Sequence, residues 1–291
     1  MRMTDIRSIG TKTKFCSVIG NPVSHSLSPA IHNAGYAALG LDFVYVANRV
    51  EDVKSTLAGM RALENFRGMS ITIPHKIEAI QYVDSISDVD LAIGSINSVV
   101  NENGKLEGFN TDGPGALKAL EDAGVDLNQK SVLMIGAGGA SRAIAFTLAW
   151  HPGIKDVTLL DIDQNMLDAL GNDLKARSRA TIYTRTMNDE TLAAAMQTAD
   201  IIVHCTPVGM HPKENASLIA QELFRKGQVV FDIVYTPLET KLLKDAKSCG
   251  LKTVSGVEMF IHQAALQFER FTGQKAPVQT LRDVVMEHLT K

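Results

Sequence analysis

Cysteine is scarce. Cys16, Cys205 and Cys249 are the only three in 291 residues, and they show no paired spacing. An odd count without paired spacing argues against a disulfide framework and against a zinc site, and it points to a reducing cytoplasm. Aromatic residues make up only 5%, which leaves no base-stacking platform. Neither sign of charge dominates. The net charge is -3, so no basic field exists for nucleic acid or an anionic membrane. Long hydrophobic runs are missing too; stretches such as residues 131–136 fall far short of the ~20 residues a bilayer-spanning helix needs. Residues 1–14 are polar and charged, with no apolar stretch resembling a secretory signal, and are expected to fray ahead of the first strand. No metal site is expected.

What is present is alternation. Short apolar runs at residues 15–20, 43–47 and 69–73 read as strands, with a helix expected over 50–63. Ser28 followed by Pro29 predicts a helix with serine at its N-cap, and Pro74 predicts another helix start. Asn103-Gly104 between apolar residues predicts a hairpin. After a helix at 113–123 the pattern restarts. Strands are expected at 132–135, 157–160, 181–184, 201–204 and 229–233, with helices at 139–150 and 164–174 and two more between 256 and 288. Strands alternating with helices define an α/β protein with a parallel sheet covered on both faces. The expected division is residues 1–112, a nucleotide-binding domain over 113–255, and C-terminal helices over 256–291.

The restart carries a glycine-rich turn. An apolar strand runs into Gly136, Ala137, Gly138, Gly139, Ala140 and Ser141, and a helix follows. Gly136 permits the tight turn, while Gly138 and Gly139 let the backbone approach a pyrophosphate at the helix N-terminus. Asp161 ends the next strand, where a carboxylate accepts hydrogen bonds from the adenosine ribose of NAD and repels the 2′-phosphate of NADP. Asp163 adds to that field, and no Arg or Lys lies between Asp161 and Leu174. The bland alternative is a structural turn with a solvated aspartate.

The first 112 residues hold polar groups in places suited to chemistry. Ser24, Ser26 and Ser28 gather hydroxyls at a helix start, which suits a carboxylate or is simply a serine-rich cap. Ser70 and Thr72 alternate along a strand that leads to Lys76. Lys76 can act as a general acid or base, with Asp112 orienting it; otherwise it is a surface lysine and Asp112 a helix cap.

Together these segments resemble the shikimate dehydrogenase family. The matching residues are Ser26-x-Ser28-Pro29 with His32-Asn33, Thr72-x-Pro74-x-Lys76, Gly94-x-x-Asn97, Asn110 to Gly113, Gly136 to Ala140, Thr206 to Met210, Asp232-x-x-Tyr235 with Pro237-Leu238, and Gly256-x-x-Met259-x-x-x-Gln263. The resemblance implies a substrate domain, a Rossmann-type doubly wound nucleotide domain with a cleft between them, and C-terminal helices packed back on the substrate domain. It implies Lys76 and Asp112 as the catalytic pair and Ser26 and Ser28 at the substrate carboxylate. Thr72, Asn97, Asp112, Tyr235 and Gln263 would meet ring hydroxyls, and Thr206, Val208, Ile233, Gly256 and Met259 join the turn and Asp161 as cofactor contacts. Shikimate is the substrate the resemblance favours, with quinate and a related hydroaromatic acid as alternatives within the class and a non-catalytic NAD sensor outside it. The expected partners are a small molecule rather than nucleic acid or membrane, with a homodimer as candidate assembly.

Four departures stand out. Asp161-Ile162-Asp163 occupies the place of the family's Asn-Arg-Thr, which favours NAD and points away from a purely biosynthetic role. Ser70 replaces an asparagine. His204-Cys205 replaces Asn-Ala, with Cys205 read as a small buried residue. His75 and His262 border the suspected site, and both are read as non-catalytic.

Overall fold

The computed structural model describes residues 9–290, so residues 1–8 of the expected frayed extension lie outside the described residues. The chain divides into two compact units, one ending at Asn110 and including Ala264–Met286, the other beginning at Thr111 and running to Gln263.

The first unit contains β1 (Lys14–Gly20), α1 (Ser28–Ala38), β2 (Phe43–Arg49), α2 (Val53–Arg61), β3 (Phe66–Ile71), β4 (Ser85–Ile86), α3 (Asp88–Ile93), β5 (Ser98–Glu102) and β6 (Lys105–Phe109). Its sheet has the order β2-β1-β3-β5-β6-β4. β1 runs parallel to β2 and β3, whereas β5 is antiparallel to β3 and β6. The sheet is therefore mixed rather than wholly parallel. Asn103 and Gly104, at φ 56° and 86°, make the two-residue turn that reverses β5 into β6.

Alternation along the strands gives this sheet two cores. Ile19, Met69, Ile71 and Val99 face one way, onto Val53 and Leu57 of α2. Cys16, Val18, Tyr45 and Val100 face the other, where Tyr36 of α1 and Phe268 and Phe271 pack on them. Three element starts differ from the sequence reading. The helix expected at residue 50 begins at Val53, because the Asp52 side chain accepts from Ser55 N at 2.9 Å and caps it. Leu27, not Ser28, is the N-cap of α1; Ser26 Oγ accepts the Ser28 N–H at 3.3 Å. Pro74 begins turns rather than a helix, and 3-10 winding starts only at Glu78. The Lys76 carbonyl accepts from Ile96 N at 2.9 Å, so the backbone there is committed outside any helix.

The second unit contains α4 (Asp112–Asp122), β7 (Lys130–Ile135), α5 (Gly139–Trp150), β8 (Ile154–Asp161), α6 (Gln164–Arg177), β9 (Thr181–Thr186), α7 (Asp189–Met196), β10 (Ile201–His204), β11 (Val229–Asp232), α8 (Lys241–Ser248), β12 (Lys252–Ser255) and the first part of α9 (Gly256–Thr272); α10 (Val278–Leu289) follows. The sheet order β12-β11-β10-β7-β8-β9 is parallel throughout. This is the doubly wound Rossmann arrangement. Chain order runs outward from β7 in one direction and returns beside it in the other, so the turn after β7 lies at the topological switch point, where such folds bind ligands. Leu133, Ile135, Leu160, Ile202 and Val230 bury one sheet face against Leu192 and Met196 of α7 and Leu242 and Ala246 of α8.

α9 is a single helix through Thr272, yet the division falls inside it, after Gln263. The expected boundaries at 112 and 255 sit at the ends of sequence patterns, whereas the observed ones follow packing. Phe268 and Phe271, fully buried, belong to the first unit's core; truncating either to alanine should cost about 3–5 kcal/mol. Among the described residues no helix is long and apolar enough to cross a membrane.

Candidate active site

The glycine-rich turn joins β7 to α5. Gly136 has φ 106°, and a Cβ there would lie 3.0 Å from Cys205 O, so both conformation and close approach require glycine. Gly138 and Gly139 differ: a Cβ on either would meet nothing within 4 Å. Their bareness is not demanded by the protein's own packing and leaves room for a ligand. Gly138 caps α5 with no side-chain bond, so the first-turn N–H groups remain available to an anion such as a pyrophosphate. The Ser141 hydroxyl donates to Gly136 O and closes the turn.

Asp161 is pinned against this turn. Its Oδ2 accepts from Ala137 N at 2.5 Å and its Oδ1 from Asp163 N at 2.8 Å. Each oxygen keeps a second lone pair, which suits a ribose diol. Asp163 caps α6 as well as carrying the charge expected of it: its Oδ1 accepts from Asn165 N and Met166 N at 2.9 and 3.1 Å. Ile162 between them is 76% exposed.

The ends of β10 and β11 form a buried relay. His204 Nδ1 lies 2.9 Å from Asp232 Oδ1, and His204 Nε2 lies 2.5 Å from Thr206 Oγ1. Asp232 also accepts from the Thr240 hydroxyl at 2.6 Å and from Val234 N at 3.1 Å. The substitution of His204 for the family's asparagine thus fixes Thr206, whose oxygen further accepts from Val208 N at 3.3 Å. Burial pushes the Cys205 thiol up to about 12, which makes it a packing residue rather than a nucleophile. Gly256 opens α9 where a Cβ would fall 2.3 Å from Ile233 O. Met259 is buried, and half-buried Tyr235 stacks on Phe260 with ring centroids 5.2 Å apart; burial raises its phenol pKa.

Asp112 sits in the first turn of α4 and is only 4% exposed. A buried carboxylate there is favoured by the helix dipole. α4 packs closely on its neighbours through glycines. A Cβ at Gly113 would lie 2.6 Å from Ala143 O, and one at Gly115 would lie 2.9 Å from Gln263 N. Those approaches fix the backbone of Gln263. His262 Nε2 lies 3.2 Å from Asp122 Oδ2.

In the first unit, Ser26 and Ser28 follow β1 at the start of α1, Thr72 and Lys76 follow β3, and Asn97 immediately precedes β5. Thr72 N donates to Ile19 O at 2.9 Å, and its methyl lies where a Cβ on Gly20 would intrude at 2.4 Å. Lys76 is half-buried, while adjacent His75 turns inward, Nε2 2.8 Å from Val50 O. Asn97 is 2% exposed. Asn110 is anchored by its side-chain N–H to Ser95 O at 3.0 Å, which holds the chain leading to Asp112.

Sequence reasoning missed a buried polar chain in this unit. The Tyr45 hydroxyl donates to Ser70 Oγ at 2.7 Å, Ser70 donates to Gln267 Oε1 at 2.8 Å, Gln267 Nε2 donates to Ser98 Oγ at 2.9 Å, and Ser98 donates to Asn97 Oδ1 at 2.8 Å. Ser70 therefore serves the protein's own network rather than an open strand face. The available signal was Gln267, four residues after Gln263 and so near the same helix face.

The chain thus holds an α/β unit with a polar loop cluster and a Rossmann unit whose open glycines and pinned carboxylate suit a dinucleotide, the parts expected of a dinucleotide-dependent enzyme. Comparison with known proteins narrows the class. The profile of the shikimate dehydrogenase substrate binding domain matches residues 18–99, that of the shikimate 5′-dehydrogenase C-terminal domain residues 256–286, and that of the saccharopine dehydrogenase NADP binding domain residues 132–220. The chain is 41% identical to the shikimate dehydrogenase (NADP(+)) of Methanosarcina acetivorans over 277 residues, 94% of this chain and 97% of that one. Shikimate 5-dehydrogenase from Listeria monocytogenes, solved with shikimate and NAD, superposes with a TM-score of 0.90 at 33% identity, covering 95% of this chain and 98% of that one. Quinate dehydrogenase from Corynebacterium glutamicum, solved with NAD, gives 0.88 at 30% identity, covering 94% and 99%. The chain belongs to the shikimate dehydrogenase family.

Proposed function

We propose that this chain catalyses the reversible oxidation of shikimate to 3-dehydroshikimate with NAD in preference to NADP. The observation that carries the cofactor half is Asp161, held by Ala137 N at the glycine-rich turn. On this reading its charge would meet the 2′-phosphate of NADP, and a dianionic phosphate beside a carboxylate is strongly disfavoured. The relatives named for NADP(+) stand against this preference, while the NAD complexes of the Listeria and Corynebacterium enzymes support it.

A bound nicotinamide would supply the hydride acceptor. Gly136, Ala137, Gly138, Gly139, Ala140 and Asp161 would hold the pyrophosphate and ribose, and Thr206, Val208, Ile233, Gly256 and Met259 the remainder. Ser26 and Ser28 would bind the substrate carboxylate, and Thr72, Asn97, Tyr235 and Gln263 its ring hydroxyls, fixing the ring for transfer. Neutral Lys76 would take the hydroxyl proton during oxidation and return it from its ammonium form during reduction, with Asp112 as the second member of the pair. A homodimer remains part of the proposal and is read by light scattering.

The test is initial rates for shikimate and quinate, each with NAD and NADP. Fastest turnover with shikimate and NAD supports the proposal. Faster turnover with quinate moves the protein to the second reading, which the 30% identity to quinate dehydrogenase motivates. Preference for NADP refutes the role given to Asp161, and no turnover in any combination refutes the activity.

A further inference from the structure

The polar chain through the first unit has a direction, and the direction ends on a residue proposed to touch substrate. Five side chains take part: Tyr45, Ser70, Gln267, Ser98 and Asn97, all 6% exposed or less. Burial raises the Tyr45 phenol pKa, so it stays protonated, and its hydroxyl begins the chain as donor to Ser70. Ser70 has one hydroxyl proton, and it goes to Gln267 Oε1. The amide oxygen of Gln267 is thereby defined, and its Nε2 end donates to Ser98. Ser98, now an acceptor from Gln267, sends its own proton to Asn97 Oδ1. The donors thus run in one direction, from Tyr45 to Asn97.

We infer that Gln267 is a positioning residue that sets which end of the Asn97 amide faces the substrate: with Oδ1 bound to Ser98, Asn97 presents Nδ2 as a donor to a ring oxygen. This deepens the proposed function and rests on its reading of Asn97 as a substrate ligand. It also accounts for Ser70. Ser70 and Ser98 are direct partners across the antiparallel β3–β5 pair. An asparagine at 70, usual in the family, could reach Ser98 across the ~5 Å between Cβ atoms and donate to it unaided. Serine is too short for that, and Gln267 reaches in from α9 to complete the link.

Gln267→Glu tests the inference with almost no change of shape. A carboxylate at 267 accepts from both Ser70 and Ser98, so the Ser98 proton turns away from Asn97. Ser98 then becomes an acceptor, and the Asn97 amide flips to present its carbonyl. The expected result is a rise in shikimate KM of about tenfold or more, with a smaller change in kcat, because a ring hydroxyl that accepted from Nδ2 must turn its own proton to the Asn97 carbonyl and give up the acceptor that proton served before. The double variant Ser70→Asn/Gln267→Ala should restore KM to within about threefold of wild type, where Gln267→Ala alone does not, because the donor to Ser98 is supplied again. A wild-type KM in Gln267→Glu overturns the inference, as does a raised KM that the double variant fails to restore. If Gln267→Glu does not fold, the comparison of Gln267→Ala with the double variant decides. Asn97→Ala separates the two layers. If it leaves shikimate KM unchanged, the reading of Asn97 as a ligand falls and the inference with it; if it raises KM while the Gln267 series has no effect, only the inference falls.

Discussion

The two units place their polar groups in opposite ways. The nucleotide unit keeps its sheet face apolar and gathers its chemistry at strand ends, in the turn after β7, at Asp161 and at Thr206. The substrate unit threads hydroxyls and amides through the sheet itself, so that Tyr45, Ser70 and Ser98 share a face with Val18 and Val100. A dinucleotide can be recognised by backbone N–H groups and one carboxylate, which a generic apolar scaffold can present. A polyhydroxylated ring needs several side-chain donors and acceptors with fixed directions, and a buried hydrogen-bonded lattice provides that rigidity.

The contrast can be broken most sharply with glycines. Gly256→Ala drives a methyl to within 2.3 Å of Ile233 O and should destabilise the nucleotide unit by about 3 kcal/mol, read as a lowered Tm. Gly138→Ala meets open space, so it should leave Tm within about 1 °C while weakening dinucleotide binding about tenfold or more by calorimetry. Equal Tm losses in both would show that the open turn is structural rather than ligand-shaped.

Asp161→Ser sharpens the cofactor side. Removing the carboxylate should lower the NAD-to-NADP ratio of kcat/KM by about tenfold or more, while shikimate KM stays within about twofold. An unchanged ratio would mean that discrimination lies elsewhere in the unit.

A pH-dependent effect is expected in the substrate unit's interior. His32 is fully buried and stacked on Tyr45 at 4.3 Å, and burial, opposed by the Gln267 amide, lowers its pKa from 6.5 to about 3. A depressed histidine pKa means that the unfolded chain binds the proton first. Stability from this group is present above pH 6.5 and is lost as pH falls through the window toward 3. His32→Phe keeps the stack and removes the titration, so its acid-unfolding midpoint should lie below that of wild type. A midpoint unchanged or raised would show that His32 is not the group that limits acid stability.

Legibility followed the same contrast. The strand–turn–helix of the nucleotide unit and its following Asp161 were readable because periodicity and spacing are local. The hairpin at Asn103-Gly104 was readable for the same reason. The mixed order of the first sheet was not, since parallel and antiparallel neighbours depend on which strands meet and not on what each contains. Short elements such as α7 and α8 lacked a pattern long enough to stand out. Ser28, read as the cap, is the first helical residue, because Leu27 takes the cap position without any side-chain bond. Gln267 escaped because its partners, Ser70 and Ser98, are 197 and 169 residues distant in sequence. Asp163 was read only as charge, and its second use as the cap of α6 was not seen.

The proton-transfer role of Lys76 is the centre of the account, and turnover of shikimate by Lys76→Met tests it most directly. The predicted result is a fall in kcat of about 10²–10⁴-fold, with dinucleotide affinity and Tm close to wild type. Near-normal kcat in a folded Lys76→Met enzyme would contradict it.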